Sequence, residues 1–519
     1  MLNFLQRFAP EVIGVLSGLD RIRFRGTQRL LATQRGMFQY LLQRQVLLKD
    51  FFTFVEHTTR TMRQGMEAQV EQAGRPLVYL NSSQTRKEKL ALELAARDGI
   101  TEGLIAVLKC VEPCMSFTVR RNREEKKLAL VCQPMKCLHY YHYYLDPRFG
   151  LMHVRTQSWF PFTVHICMNG REWLARQMDA AGIGFAKKDN CFVDIADLPA
   201  AQALFDTQLQ TDWPILLGGL AAQSNPAHAE LFASCPVPYY WSAEETEWAS
   251  DVMFRTPESL AKLMPRLVRH GLEVLSCADV LRFLGRREPM QCGTVGHFKG
   301  EVVTDLKRRP EGVRLLHRVN RNWIKMYDKQ GTVLRIETVV NDARDMKAFR
   351  AKEGDEGGEK KWMSLRKGVA DLHRRTEISQ KANDRYLDSL ATVEETEPLS
   401  KLTERLTKPV EWKGRRSRAL NPLGEADAAL LEAVGRGEFL LNGFRNKDLR
   451  NLLGTSRTDE RTEARRQTSA VTRKVRLLRA HGVIQKVAGT QRYIVTEYGR
   501  TSIAALTAAR NANIKLLAA

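Results

Sequence analysis

Tyr327 and Glu337 lie in a segment whose alternating pattern places reactive side chains on one face of a hairpin. The segment NRNWIKMYDKQGTVLRIETVVND (residues 320–342) contains two β-type runs joined by a turn at Gly331. Its polar face carries Lys325, Tyr327, Lys329, Arg335 and Glu337. This combination suits phosphoryl transfer, with Tyr327 as nucleophile or backbone contact and Glu337 as a ligand of Mg²⁺ or Mn²⁺.

The residues YDK and LRIE of this segment resemble the hairpin of some phage and plasmid rolling-circle replication initiators. The resemblance implies a nickase-type enzyme. Those enzymes carry paired histidines with one residue between them, whereas His139 and His142 of this chain are separated by two. The alternative interpretation is a strand pair whose charged face is solvated or binds nucleic acid passively.

Asp20 ends an apolar, strand-like run, VIGVLSGLD (residues 12–20). This position is similar to that of the first metal-binding aspartate in nucleases of the RNase H-like class. The partners of Asp20 in such a site would be acidic residues far along the chain. The sequence leaves open Glu112, Asp146, Asp251 and Glu337. The alternative is an aspartate in a surface turn.

Two neighbouring segments, CVEPC (residues 110–114) and CQPMKC (residues 132–137), contain paired cysteines. A structural zinc site uses close pairs of soft ligands separated by a loop. The candidate zinc ligands are Cys110, Cys114, Cys132 and Cys137. Strand alternation separates the members of each pair, so buried thiols within a sheet are the alternative.

Near the C-terminus, ARRQTSAVTRKVRLLRAHG (residues 464–482) predicts a helix with one apolar and one basic face. At about 100° per residue, Val471, Val475 and Leu478 form the apolar stripe. The opposite face carries Arg465, Arg466, Ser469, Thr472, Arg473 and Arg476. Arginine forks and hydroxyls bind phosphate oxygens and base edges, so this face predicts a helix that enters the major groove.

The elements around this helix follow the order of a winged helix-turn-helix: helix, strand, helix, turn, helix, hairpin, helix. The hairpin tip should contact the flanking DNA backbone or minor groove through Lys486, Gln491 and Arg492. In this layout, and in the residues LLRAHGVI (477–484), the C-terminal part of the chain resembles the winged-helix domains of bacterial MarR-type regulators. The resemblance implies a DNA-binding domain over residues 425–519.

The charge of the whole chain favours a polyanionic partner. The 519 residues carry a formal net charge of +22, and the isoelectric point is near 9.7. DNA is the first expected partner, and structured RNA is the second. We predict no membrane span, because the sequence contains no run of 18 or more apolar residues.

Further sequence patterns indicate where the protein is located and which classes of enzyme are excluded. Nine scattered cysteines and the lack of a signal-peptide pattern predict a reduced, cytoplasmic protein. The sequence shows no convincing phosphate-binding loop, dinucleotide fingerprint, HExxH or GxSxG motif. These absences argue against an ATPase, a dinucleotide-dependent enzyme, a zinc protease and an α/β-hydrolase.

The predicted fold class is a multidomain α+β protein with antiparallel sheet regions, helical segments and the C-terminal winged helix-turn-helix. We predict a mixed α/β region (1–103), a β-rich antiparallel region (104–170), a mostly helical region (171–296), a hairpin and helix region (297–406), a basic linker (407–424) and the winged-helix domain (425–519).

Two functions remain open at this point. The first is a DNA-binding protein whose C-terminal domain finds the site and whose basic body also contacts DNA or RNA. The second is a nuclease, nickase or transposase of a mobile element or replication system, in which the same domain directs a catalytic centre to its target.

Overall fold

The computed structural model describes residues 1–122, 124, 126–285, 302–309, 312–352, 357–391, 399–436, 439, 443–453 and 461–511. The chain forms two compact units, each assembled from segments that are distant in sequence. The first unit contains residues 1–11, 255–331 and 381–519, and the second contains residues 12–254 and 332–380. The domain boundaries predicted from the sequence do not coincide with this division.

A large mixed sheet forms the framework of the second unit. Its strands follow the order β13–β9–β1–β6–β5–β4–β3–β2. They are β1 (Val12–Gln28), β2 (Leu77–Tyr79), β3 (Gly103–Asn122), β4 (Lys127–Asp146), β5 (Gly150–Gln157), β6 (Val164–Asn169), β9 (Tyr239–Phe254) and β13 (Val333–Val340). Neighbouring strands are antiparallel except β2 and β3, which run parallel. The predicted combination of largely antiparallel sheet with helical segments is therefore confirmed.

The second unit also contains two small hairpins and a set of helices. The hairpins are β7 (Phe185–Lys188) with β8 (Cys191–Ile195) and β14 (Lys347–Arg350) with β15 (Lys361–Ser364). The helices are α2 (Gln34–Gln43), α3 (Phe51–Gln72), α4 (Lys87–Arg97), α5 (Gly170–Ala181), α6 (Leu198–Thr207), α7 (Trp213–Gln223), α8 (His228–Phe232) and the first part of α11 (Leu372–Leu390).

The antiparallel strands expected in region 104–170 are confirmed as β3 to β6. The region 171–296, predicted to be mostly helical, also contains β9, which lies between β13 and β1. The reason for this difference is that β9 is mostly buried and pairs on both sides, so its sequence does not show the alternation of a half-exposed strand.

Helices α5 and α6 pack against β1. Helix α5 begins at Gly170, where the Asn169 side chain accepts hydrogen bonds from the backbone N–H groups of Arg171 and Glu172. On β1, a Cβ atom at Gly18 would lie 2.2 Å from the ring of Phe205, so glycine is needed for α6 to approach the strand. This packing holds the N-terminus of α5 beside the middle of β1.

The first unit contains strands β10 (Val302–Arg309), β11 (Gly312–Val319) and β12 (Asn322–Lys329), which pair in this order. Two further hairpins are β16 (Val410–Trp412) with β17 (Arg415–Ser417) and β18 (Ile484–Lys486) with β19 (Tyr493–Val495). The segment 407–424, predicted to be a linker, thus contains a hairpin.

The helices of the first unit are α1 (Leu2–Arg7), α9 (Pro257–Glu273), α10 (Cys277–Phe283), α12 (Leu399–Leu402), α13 (Glu404–Thr407), α14 (Glu425–Val434), α15 (Asn446–Leu452), α16 (Arg461–Ala480), α17 (Glu497–Asn511) and the second part of α11. The predicted long basic helix is confirmed as α16. Its apolar stripe of Val471, Val475 and Leu478 is buried in a core with residues of α14, α15 and α17. No helix in the described part of the chain is long and apolar enough to cross a membrane.

Candidate functional site

Asp20 lies at a bulge in β1. Leu19 pairs with Trp248 of β9 and Arg21 pairs with Glu247, so Asp20 is the extra residue between two consecutive partners on β9. A bulge of this kind redirects a side chain out of the regular alternation of a strand. The Asp20 carboxylate is buried, with 5% of the residue exposed.

Three carboxylates from three adjacent strands meet at this bulge, and we call them the acidic triad: Asp20, Glu247 and Glu337. One oxygen from each residue lies within 4.8 Å of the other two. Asp20 and Glu337 are buried, whereas Glu247 is partly exposed. The structure therefore brings Asp20 together with Glu337, one of the four acidic residues that the sequence analysis left open as its partners.

Arg335 of β13 lies at the centre of the polar groups beside the triad. Its Nε and Nη2 donate to the two carboxylate oxygens of Asp251 at 2.6 and 2.8 Å. Its Nη1 donates to Asp20 Oδ1 at 3.0 Å, and Nη2 also donates to the carbonyl of Asn190 at 2.9 Å. Arg335 thus fixes Asp20 and Asp251 relative to each other.

Arg171 and Asn190 complete the surroundings of Asp20. The Arg171 Nε lies 3.5 Å from Asp20 Oδ1, and its Nη2 lies 3.3 Å from Asp251 Oδ2. The Asn190 amide donates to the same Asp20 oxygen at 2.8 Å. The contacts that Arg171, Arg335 and Asn190 make with Asp20 all go to its Oδ1.

Carboxylates and guanidinium groups lie close together at this site. Asp20 and Asp251 contact the guanidinium groups of Arg171 and Arg335, and the charge of Glu247 interacts with that of Arg21. The pKa of Asp20 is raised above its ordinary value by burial, against the attraction of Arg335 and with the repulsion of Glu337. Removal from water and like charges both disfavour the ionised form, and a bound cation would reverse the second effect.

Carboxylate oxygens at this spacing are suitable ligands for Mg²⁺ or Mn²⁺. A metal ion held by the triad would polarise a phosphoryl oxygen and lower the pKa of a bound water. The partial exposure of Glu247 gives the triad one side chain at the protein surface.

Tyr327, the candidate nucleophile, does not belong to the acidic triad. Tyr327 is half-buried on β12 of the first unit, opposite Arg314 of β11, whereas the triad consists of residues of the second unit alone. The interpretation of a solvated face is wrong for Arg335 and Glu337, which are 0% and 1% exposed.

Of the acidic partners left open for Asp20, Glu337 lies in the acidic triad, and Asp251 contacts the same two arginines as Asp20. Asp146 instead accepts hydrogen bonds in the turn before β5, from the backbone N–H groups of Arg148 and Phe149. Glu247 and Arg171 were missed. Glu247 belongs to the segment SAEETEWASDVMF (residues 242–254), in which four acidic residues precede or interrupt an apolar run. That pattern could have identified Glu247 as a candidate.

Glu112 belongs to a separate polar network on β3 and β4. Its carboxylate accepts hydrogen bonds from Tyr141 at 2.7 and 2.8 Å, from Arg155 at 2.7 Å and from the Cys110 thiol at 3.0 Å. Lys87 lies 3.2 Å away. Burial opposes ionisation, but these hydrogen bonds and charges outweigh it and lower the pKa of Glu112 to about 2.

The structure does not bring the four candidate zinc ligands together. Cys110 hydrogen-bonds to Glu112, and Cys132 lies opposite Phe117 and packs against the core. Cys114 donates to the sulfur of Cys137, which lowers the pKa of Cys137 to about 7. Among the described residues, the potential ligand atoms that meet within 4.8 Å are those of the triad, which contains no cysteine.

The basic face of α16 is largely open to solvent. Arg465, Arg466, Ser469, Thr472 and Arg473 are exposed, and Arg476 is half-buried. In the described part of the chain, no carboxylate forms an ion pair with Arg465, Arg473 or Arg476. The predicted separation of an apolar and a basic face is therefore present in the structure.

The β18–β19 hairpin follows α16 directly and carries the remaining candidates. Lys486 and Gln491 are exposed, and Arg492 is half-buried. Gly482 has φ of +72°, a conformation that glycine adopts readily, and it ends the helix so that the chain can turn into β18. An isolated bridge joins Phe444 to Tyr493 of β19.

The chain was compared with models of protein families, with curated proteins and with solved structures. None of these three comparisons found a match.

Proposed function

We propose that the protein binds duplex DNA through α16, which enters the major groove as the recognition helix of a winged helix-turn-helix. The observation that carries the proposal is the exposed face of arginines and hydroxyls on α16, opposite the buried Val471, Val475 and Leu478. Such a helix presents hydrogen-bond donors to base edges while its apolar side holds it to the domain.

The elements around α16 support the same proposal. Helix α15 packs against α16, with Asn446 donating to the Thr472 hydroxyl at 3.2 Å and Arg450 to the Thr468 hydroxyl at 3.4 Å. The β18–β19 hairpin corresponds to the wing, and the similarity to MarR-type regulators rests on this order and on the residues LLRAHGVI (477–484). The predicted turn between α15 and α16 includes residues 454–460, which lie outside the described residues.

The excess of positive charge extends beyond this domain, and it supports further contacts between the body of the protein and a polyanion. The chain carries 81 lysine and arginine residues against 59 aspartate and glutamate residues. Structured RNA is the competing partner for this general attraction, since the charge itself reads no sequence.

The double change Arg473→Ala with Arg476→Ala tests the proposal. We expect weaker binding to duplex DNA, by about 1–3 kcal/mol for each lost base contact. The matched control is Arg60→Ala with Arg63→Ala, since these two exposed residues have the same spacing on α3. Equal affinity of the wild type and the α16 variant would refute the proposed recognition face.

A second candidate function is metal-dependent cleavage of nucleic acid, and the acidic triad is the observation that favours it. Three carboxylates within 4.8 Å of one another, beside two buried arginines, form a suitable environment for Mg²⁺ or Mn²⁺ and a phosphodiester. In this case the protein is a nuclease, nickase or transposase that the C-terminal domain directs to DNA.

A further inference from the structure

The hairpin β16–β17 has a well-defined tip that carries basic side chains. Lys413 and Gly414 form its two-residue turn, with φ of +53° and +67°. A turn with two left-handed residues matches the twist of the strands that it joins. Lys413, Arg415 and Arg416 are all exposed.

Arg479 of α16 connects this hairpin to the second one. Its guanidinium lies 5.0 Å from the centre of the Trp412 ring on β16 and 5.9 Å from the centre of the Tyr493 ring on β19. Contacts of a guanidinium with aromatic faces are favourable at such distances. The two hairpins are thus attached to the same end of α16.

His481, the residue after α16, anchors the chain on both sides of β16–β17. Its Nδ1 lies 2.6 Å from the carbonyl oxygen of Arg405, and its Nε2 lies 2.8 Å from the carbonyl oxygen of Arg418. The Arg418 side chain donates two hydrogen bonds of 2.7 Å to Asp427 of α14. The position of the hairpin relative to α16 is therefore fixed before any ligand binds.

The cations at the hairpin tip are available for an external partner. Lys413, Arg415 and Arg416 form no ion pair with a carboxylate in the described part of the chain. Glu411 is the cross-strand neighbour of Arg416, yet the two side chains do not form an ion pair. Three exposed charges on a fixed support are well suited to phosphate groups, which bind cations without reading sequence.

We propose that β16–β17 is a second DNA-contacting hairpin, which binds backbone phosphates of the duplex whose major groove receives α16. This inference rests on the proposed function and adds to it a surface that sequence analysis had assigned to a linker. With β18–β19 it gives the recognition helix two hairpins, so that the contact with DNA extends past the groove occupied by α16.

The test is the salt dependence of binding by the full chain to duplex DNA. Each phosphate neutralised by the protein contributes about −0.9 to the slope of log K against log salt concentration. The variant Lys413→Ala, Arg415→Ala, Arg416→Ala should therefore have a slope less steep by about 2.7 if all three cations contact phosphates.

Control variants distinguish the loss of phosphate contacts at this hairpin from a general loss of net charge and from a failure to fold. Lys49→Ala, Arg60→Ala, Arg63→Ala removes the same charge from exposed positions of the second unit and should reduce the slope less than the hairpin variant does. Trp412→Ala removes the ring contacts of Arg479 and Lys413 without changing the charge, and it should also reduce the slope. Trp412→Phe retains an aromatic ring and should keep most of the wild-type slope. Circular dichroism spectra identify any variant that has not folded.

The possible results distinguish this inference from the proposed function. If the wild-type protein does not bind duplex DNA, the proposed function itself fails. If the wild type binds DNA and the hairpin variant keeps its slope, or if the control variant loses as much, the inference about β16–β17 is overturned and the proposed role of α16 stands. The inference about β16–β17 is also overturned if the hairpin variant has a reduced slope with structured RNA but not with duplex DNA.

Discussion

Arg335 and Asp251 form a buried bidentate ion pair, with distances of 2.6 Å from Nε to Oδ1 and 2.8 Å from Nη2 to Oδ2. Each side chain is only 1% exposed. The pair joins two neighbouring strands, β13 and β9, at a position where their Cα atoms are also in register. Through the same guanidinium group, Arg335 also contacts Asp20 of the acidic triad.

Breaking this pair should destabilise the protein strongly. Asp251→Asn removes one of the two carboxylates that contact Arg335, while Asp20 remains, and leaving buried hydrogen-bonding groups poorly satisfied costs about 1–3 kcal/mol. We expect a loss of this size in the free energy of unfolding for Asp251→Asn, measured by urea denaturation. Glu93→Ala breaks the exposed pair with Lys89 and should cost less than about 0.5 kcal/mol. Similar losses for both variants would contradict the importance of the buried pair.

Divalent cations should stabilise the folded protein through the acidic triad. A ligand that binds only the folded state at roughly one hundred times its Kd adds about 2.7 kcal/mol to the free energy of unfolding. We therefore expect Mn²⁺ or Mg²⁺ to raise the melting temperature of the wild type. Glu247→Gln should abolish this increase with little effect on the metal-free protein, since Glu247 is partly exposed. Glu244→Gln, a partly exposed position on the same strand, should leave the increase intact.

If the protein cleaves nucleic acid, the cleavage should depend on the triad. We expect nicking of supercoiled DNA in the presence of Mn²⁺ or Mg²⁺, and its loss in Asp20→Asn and Glu337→Gln, because each change removes a carboxylate from the proposed metal ligands. Tyr327→Phe should retain activity if a metal-bound water is the nucleophile. Loss of cleavage in Tyr327→Phe alone, with the triad variants active, would instead assign the reaction to the tyrosine.

Glu112 should make stability dependent on pH on the acidic side. Its pKa is about 2 in the folded protein against an ordinary value of 4.5, so its contribution is complete above pH 4.5 and is lost as the pH falls towards 2. Urea denaturation at several pH values should show a weaker decline in this range for Glu112→Gln than for the wild type. Glu93→Gln, on the exposed surface of α4, is the control. Identical pH profiles for wild type and Glu112→Gln would show that the network does not stabilise the folded state.

The properties that sequence analysis predicted correctly are local ones. The apolar stripe of α16 consists of residues three and four positions apart, so the spacing of Val471, Val475 and Leu478 is sufficient to define both faces of the helix. An antiparallel sheet in region 104–170 was likewise predicted from local patterns, although the six short runs of the sequence correspond to the four strands β3 to β6. These patterns do not depend on which distant segment lies next to them.

The acidic triad was only partly predictable because it depends on the pairing of distant strands. Asp20 and Glu337 were noticed for their own surroundings, but nothing in one sequence shows that β9 lies between β1 and β13. The bulge that sets the direction of Asp20 is a property of the β1–β9 register. The burial of Arg335 was missed because Arg335 alternates with apolar residues, a pattern that is typical of a half-exposed strand.

The order of the chain has a consequence for the synthesis of the protein. Asp20 and Arg335 are separated by 315 positions, and the strand that carries Arg335 also carries Glu337. A ribosome adding about 5–20 residues per second needs roughly 15–60 s to pass from the first to the second. During that time the nascent N-terminal segment has Asp20 but not the arginine and glutamate that complete its surroundings, so a chain released early lacks the assembled centre altogether.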